Sequence, residues 1–130
     1  MGAKMKEKKY TKDHEWVVVE GDVATVGITE HAAKELGDIT FVELPGIDTD
    51  LIVGDTLGVV ESVKAASDIY SPVSGTVSAV NQELEESPEM INDSAEKDGW
   101  ICKISNVDPE EISGLMDEKA YSEFVKNVEH

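Results

Sequence analysis

Short β-forming runs recur along the chain, and turn dipeptides separate them. The runs are WVVVE (16–20), VATVGI (23–28), ITFVEL (39–44), TLGVVESV (56–63), DIYSPV (68–73), GTVSAV (75–80) and WICKI (100–104). Between them stand Gly21-Asp22, Pro45-Gly46, Gly54-Asp55, Ser74-Gly75 and Asp98-Gly99, pairs whose backbone preferences suit tight turns. Such spacing predicts a mainly β sandwich or barrel rather than a parallel α/β sheet. Pro72 has no N–H for a ladder, so it is expected at an edge or a bulge. VATVGI and GTVSAV are weakly alike, as two quasi-equivalent halves of a small sandwich would be.

Helices are expected at two places. TEHAAKELG has Thr29 as N-cap and Gly37 at the stop position, which predicts a short helix near 29–36. DPEEISG reads as one helical turn, and a C-terminal helix follows from about Asp117. There Ala120, Phe124 and Val128 repeat at helical spacing and form an apolar stripe expected to pack on the parent sheet. A length of 130 residues suits one domain, taken as 10–130, after an N-terminal tail over 1–9.

Charge excludes some functions. The chain has 28 acidic residues against 11 basic ones, all lysine, for a formal net charge of −17. That balance opposes nucleic acid, whose phosphates are held by Lys and Arg. Without arginine there is no bidentate clamp for a carboxylate or phosphate ligand. The field favours basic partner surfaces. No apolar run approaches the ~20 residues a bilayer span needs, so no membrane role is expected. The N-terminal stretch has no apolar segment of the kind a secretory signal carries. Cys102 is the single cysteine, which fits a reducing compartment and reads as a buried, inert thiol.

Catalytic and metal signatures are missing. His14, His31 and His130 form no HxH, HxxxH or HExxH pair, and one cysteine cannot complete a zinc site, so no metal is expected. There is no GxSxG elbow, P-loop or GxGxxG fingerprint. Asp13, His14 and Glu15 cluster as acid–base groups would, but for isolated side chains the polar lead-in to a strand is the favoured reading. Lys64 stands between two strand-like runs and is followed by small residues, so it would project from a hairpin tip. Its four-carbon stem ends in an amine that can be acylated. Spacing alone favours an ordinary solvated side chain.

The blocks around Lys64 change its meaning. YTKDHEWV, VGITEHAAKELGDITFVELP and GVVESVKAASDIYSPVSGTV occur in that order; VN, then L, P and IN, and finally GW at 99–100 continue the series. Over roughly 10–126 the chain resembles the glycine cleavage H-protein family of lipoyl carriers. The resemblance implies a lipoyl-domain-like barrel-sandwich hybrid and a carrier without catalysis of its own. It implies lipoate on Lys64, with Glu61 and Gly75 as recognition context for a lipoate ligase or lipoyltransferase. Glu15 and Asp68, with Asp13 less closely matched, would dock the loaded arm. The implied partners are a pyridoxal-phosphate glycine decarboxylase, a tetrahydrofolate-dependent aminomethyltransferase and a flavin (FAD) dihydrolipoamide dehydrogenase. Aminomethyl transfer in glycine catabolism is the implied role, by a monomer in a prokaryotic cytoplasm, with the mitochondrial matrix as alternative. The competing readings are a lipoyl or biotinyl carrier for another complex, an interaction protein with an unmodified lysine, and a small enzyme built on Asp13–His14–Glu15. Biotinyl lysines are usually flanked by methionine, whereas Lys64 has Val63 and Ala65. The acidic segment 92–98 is assigned no function.

Overall fold

A computed structural model describes residues 8–128, the side chain of Val128 excepted. In chain order these form β1 (Lys8–Tyr10), β2 (Glu15–Glu20), β3 (Val23–Ile28), α1 (Glu30–Leu36), β4 (Ile39–Glu43), β5 (Asp50–Leu51), β6 (Thr56–Ser62) and β7 (Ala66–Tyr70). There follow β8 (Gly75–Val80), α2 (Glu83–Glu86), α3 (Met90–Ser94), β9 (Cys102–Ser105), α4 (Pro109–Ser113) and α5 (Glu118–Val128). Six strands pair in the order β1-β2-β3-β9-β8-β5, and three in the order β4-β6-β7. Every ladder is antiparallel. The architecture is mainly β, as the turn spacing predicts.

Period-two burial explains where the core lies. Val17, Val26, Val77 and Ile104 of the larger sheet and Val42, Val60 and Ile69 of the smaller one join a single buried cluster. Cys102 belongs to it, and burial pushes its thiol up to about 12. A second cluster joins Tyr10, Trp16 and Tyr121, with Phe124, Val125 and Met116 packed against them. The Tyr10 and Tyr121 rings stack there with centroids 4.6 Å apart.

Several elements depart from the sequence reading. The C-terminal helix does pack on the parent sheet, but through Tyr121, Phe124 and Val125 rather than an Ala120–Phe124–Val128 stripe. Ala120 is exposed, and the Val128 side chain and His130 lie outside the described residues. Asp117 caps this helix by accepting from Ala120 N at 2.8 Å, which fixes the phase of the stripe. Pro72 is in neither a strand nor a bulge; it lies in the connection between β7 and β8. VATVGI and GTVSAV, as β3 and β8, flank β9 in one sheet instead of forming two halves. β1 begins at Lys8, inside the segment read as tail, and pairs with β2; residues 1–7 lie outside the described residues.

Helix α1 forms as its caps dictate. Thr29 Oγ1 accepts from Ala32 N, and Gly37, at φ 81°, closes the end by donating to Ala33 O. The acidic segment 92–98 begins within α3 and ties this helix down. Asn92 accepts from Ile39 N at 2.9 Å and donates to Gly37 O at 2.8 Å. Ala95 O accepts from Trp16 Nε1 at 3.0 Å. Glu96 pairs with Lys8 at 3.1 Å and accepts from Glu30 N at 2.9 Å. Replacing Asn92 by Ala leaves the Ile39 N–H, on a buried residue, without its acceptor, at about 1–3 kcal/mol, whereas the Gly37 carbonyl, in an exposed bond, can turn to water. The urea midpoint of Asn92→Ala should therefore fall, at unchanged m-value, by an amount matching a loss of about 2 kcal/mol.

Candidate functional site

Residues Ser62–Ala65 make the turn between β6 and β7, and Ser62 holds it from within. Ser62 N donates to Ala65 O at 2.7 Å, while Ser62 Oγ accepts from both Lys64 N and Ala65 N at 3.1 Å. Val63 N donates to Asp38 O at 3.1 Å, which ties the tip to the turn after α1. The backbone at Lys64 is thus fixed, whereas its side chain is exposed. Among the described residues the Lys64 ammonium forms no salt bridge. Its stem runs near Gly37, where an added Cβ would lie 3.5 Å from Lys64 Cε. Ser62 was not singled out in the sequence. Its signal was a hydroxyl residue two positions before the tip, which can satisfy turn N–H groups.

Glu15 occupies the seam between the sheets. It starts β2, is 2% exposed, and uses both oxygens: Thr11 Oγ1 donates at 2.8 Å and Tyr70 N donates at 3.0 Å. Tyr70 ends β7 in the other sheet, so this carboxylate fastens that edge strand to the six-stranded sheet. Burial pushes the carboxyl from its ordinary 4.5 up to about 7, with a further rise from the Asp13 charge, against the lowering effect of the two hydrogen bonds.

Glu15 and Lys64 occupy opposite ends of two parallel tracks. Along β7, Ala66 to Tyr70 spans roughly 13 Å at about 3.3 Å per residue. Beside it α1 begins at Thr29, whose N donates to His14 O at 2.9 Å, and ends at Gly37 near the Lys64 stem. Asp68 is exposed on β7 between the two ends, on the same side as Tyr70 by strand alternation. Asp13 is exposed in the turn before Glu15. The structure thus sets Asp68 on β7 between Lys64 and Tyr70, whose N–H meets the buried Glu15, and leaves Asp13 exposed in the turn before Glu15. Glu61 lies on the outer face of β6, opposite Ala66 and Phe41.

Gly75 is not brought to Lys64. It begins β8, past the far end of β7, and pairs with Leu51. A Cβ there would collide with Ser105 O and lie 2.6 Å from Ile104 Cγ2, so close packing on β9 requires glycine.

Spacing gave no sign of the aromatic cluster beside Glu15. The His14 and His31 rings lie 4.7 Å apart by centroid. Tyr121 Oη stands 2.8 Å from both His14 Nδ1 and Thr29 Oγ1. His14 takes φ 68°, a conformation costly for a non-glycine residue, and these contacts hold it there. Helix α5 therefore supports the turn that aims Glu15. Among the described residues no group of three or more His, Cys, Asp or Glu is arranged to hold a metal ion.

One solvent-facing amine on a rigid tip offers a place to attach and display something, and the acidic path beside it suits a cationic load. A small β domain built this way falls in the class of carrier domains, which present a covalently held group to other proteins. Comparison with known proteins narrows the class. Residues 8–128 match the family model for the glycine cleavage H-protein. A putative mitochondrial glycine cleavage system H protein of Schizosaccharomyces pombe is 54% identical over 119 residues, 92% of this chain and 70% of that one. The glycine cleavage system H protein of Parvibaculum lavamentivorans is 52% identical over 125 residues, 96% of this chain and 100% of that one. A solved glycine cleavage system H protein from Mycobacterium marinum matches with a TM-score of 0.81 at 30% identity, covering 95% of this chain and 97% of that one. The chain belongs to the glycine cleavage H-protein family, whose members are non-catalytic, lipoate-carrying components of the glycine cleavage system. Its fold is that of the solved relative.

The Glu15 pKa gives a pH signature. The folded state holds this proton more tightly than the unfolded state, so the contribution to stability is full below 4.5 and is lost as pH rises through about 7. Glu15→Gln lacks that loss. Between pH 5 and pH 8 the wild type should lose stability relative to Glu15→Gln by on the order of 2–3 kcal/mol, read from paired urea titrations.

Proposed function

We propose that the chain is the lipoyl-bearing carrier of the glycine cleavage system, with lipoate joined as an amide to Lys64 Nζ. The observation that carries this reading is the Ser62-pinned tip, which fixes the Lys64 backbone while leaving its side chain exposed and, among the described residues, without a salt bridge. An amine so placed fits attachment, because acylation removes a charge that no ion pair among the described residues needs. When bound on Lys64, lipoate would supply a disulfide–dithiol pair able to take up the aminomethyl group left when glycine loses carbon dioxide at a pyridoxal-phosphate glycine decarboxylase, to give up its one-carbon unit with release of ammonia at a tetrahydrofolate-dependent aminomethyltransferase, and to be returned to the disulfide by an FAD-containing dihydrolipoamide dehydrogenase.

The chain's own residues anchor, shelter and present. Asp68 meets the cationic cargo along β7, and Glu15 receives it at the end of the path, with Asp13 adding negative charge at the turn. A cation there draws the Glu15 carboxyl toward its ionised form and offsets part of its burial cost. Glu61 belongs to the surface read by the lipoate ligase or lipoyltransferase. Gly75 contributes at a distance, by letting β8 pack on β9 so that the hairpin is held at a fixed angle. From β1 to α5 the chain acts as one carrier domain, working as a monomer. The bacterial relatives favour a prokaryotic cytoplasm, and the mitochondrial relative makes the matrix the alternative.

Incubation with lipoate, ATP and a lipoate ligase should add the mass of one lipoyl group to the wild type and none to Lys64→Ala. An adduct on Lys64→Ala, or none on the wild type, overturns the assignment. For the docking path, loaded Glu15→Ala should lose its aminomethyl cargo roughly tenfold faster than wild type, the effect of about 1.4 kcal/mol of lost charge stabilisation. Cargo release is followed by mass spectrometry at neutral pH, and an unchanged lifetime removes Glu15 from this role.

A further inference from the structure

The outer face of the three-stranded sheet carries an aromatic side chain that the fold does not use. Phe41, on β4, is 48% exposed and lies directly across the ladder from Glu61. The neighbouring pair, Val42 and Val60, is buried, which fixes Phe41 and Glu61 on the outward face. Phe41 belongs to neither buried cluster, although the chain has only two phenylalanines. The next row on the same face is Glu43, Val59 and Asp68. Val63, 69% exposed, stands in the turn beside Lys64. A lone exposed apolar residue needs no explanation. Here Phe41 and Val59 share the outward face with Glu43, Glu61 and Asp68, and the exposed Val63 lies in the turn into which β6 leads.

Reach identifies the partner. An enzyme that acylates the bare lysine must bring its reaction centre to within one lysine stem of the backbone, so its own surface must press on the flanks of the hairpin. Enzymes that act on a finished arm work at the end of a much longer tether and have less need of this face. The charge pattern sets the complement: an aromatic anchor with a carboxylate rim suits an apolar pocket bordered by lysine or arginine.

We propose that Phe41 is the apolar anchor by which the lipoate-attaching enzyme grips the outer face of β4-β6-β7, its ring entering a pocket with a basic rim that meets Glu61 and Glu43. This rests on the reading of Lys64 as the attachment point. Lipoyl transfer from preformed lipoyl-adenylate by a lipoate ligase should show KM for Phe41→Ala raised roughly tenfold with kcat little changed. Phe41→Leu should recover most of the loss, and Phe41→Lys should bind more weakly than Phe41→Ala because it sets a cation against the basic rim. Wild-type KM should also rise with salt. Urea midpoints taken alongside separate recognition from folding, and Phe41→Leu and Phe41→Lys decide the matter if Phe41→Ala is unstable. An unchanged KM in these variants, or a loss confined to kcat, overturns the Phe41 proposal while leaving Lys64 acylation intact. Failure of the wild type to be acylated overturns the carrier reading itself.

Discussion

A single buried carboxylate joins the two sheets at the place where function is expected. Glu15 sits at the start of β2 yet accepts from Tyr70 N on the edge of the smaller sheet. An edge strand presents unpaired N–H groups, and a carboxylate that caps one closes part of that edge. The contact is costly, because desolvation holds the carboxyl near 7. Two hydrogen bonds recover part of that cost, and the Tyr121–His14–Thr29 contacts keep the preceding turn from relaxing. The hairpin that displays Lys64 springs from β7, so its orientation depends on this fastening.

Hydrophobic alternation made most of the fold readable. β3 and β8 fall where the sequence reading placed them, because each is a period-two run introduced by a turn pair. Helix α1 was readable from Thr29 and Gly37, whose capping roles are local chemistry. What escaped was short or depended on tertiary contact. β5 is two residues long, and β1 is a three-residue strand whose register is set by β2. The acidic segment 92–98 was assigned no function because its polar groups find partners far away in sequence, at Gly37, Ile39, Lys8 and Glu30. Phase also failed at α5: spacing placed Ala120 inside, whereas the Asp117 cap and the stacked tyrosines turn Tyr121 inward.

The candidate site was legible to a different degree at each residue. Lys64 was visible as a hairpin lysine, but only the surrounding blocks separated it from a solvated side chain. Gly75 was singled out for its position relative to Lys64, whereas its physical requirement lies at β9. Ser62 and Tyr121 were missed because their work is three-dimensional: one hydroxyl satisfies a turn, and the other spans 107 residues to reach His14.

The lone cysteine completes the logic of such a carrier. A protein displaying a disulfide for transfer chemistry is threatened by any thiolate of its own, because thiolates attack disulfides through mixed-disulfide intermediates. Cys102 is fully buried in β9, and its thiol is pushed up to about 12, so the nucleophilic form is scarce at neutral pH. Replacing it with a larger apolar residue would crowd a core shared with Val26, Ala24 and Val77. A small, protonated, enclosed sulfur fills that space and would not compete with a disulfide carried on Lys64 as proposed. On that proposal, the transfer chemistry stays with the one group that the hairpin would hold out.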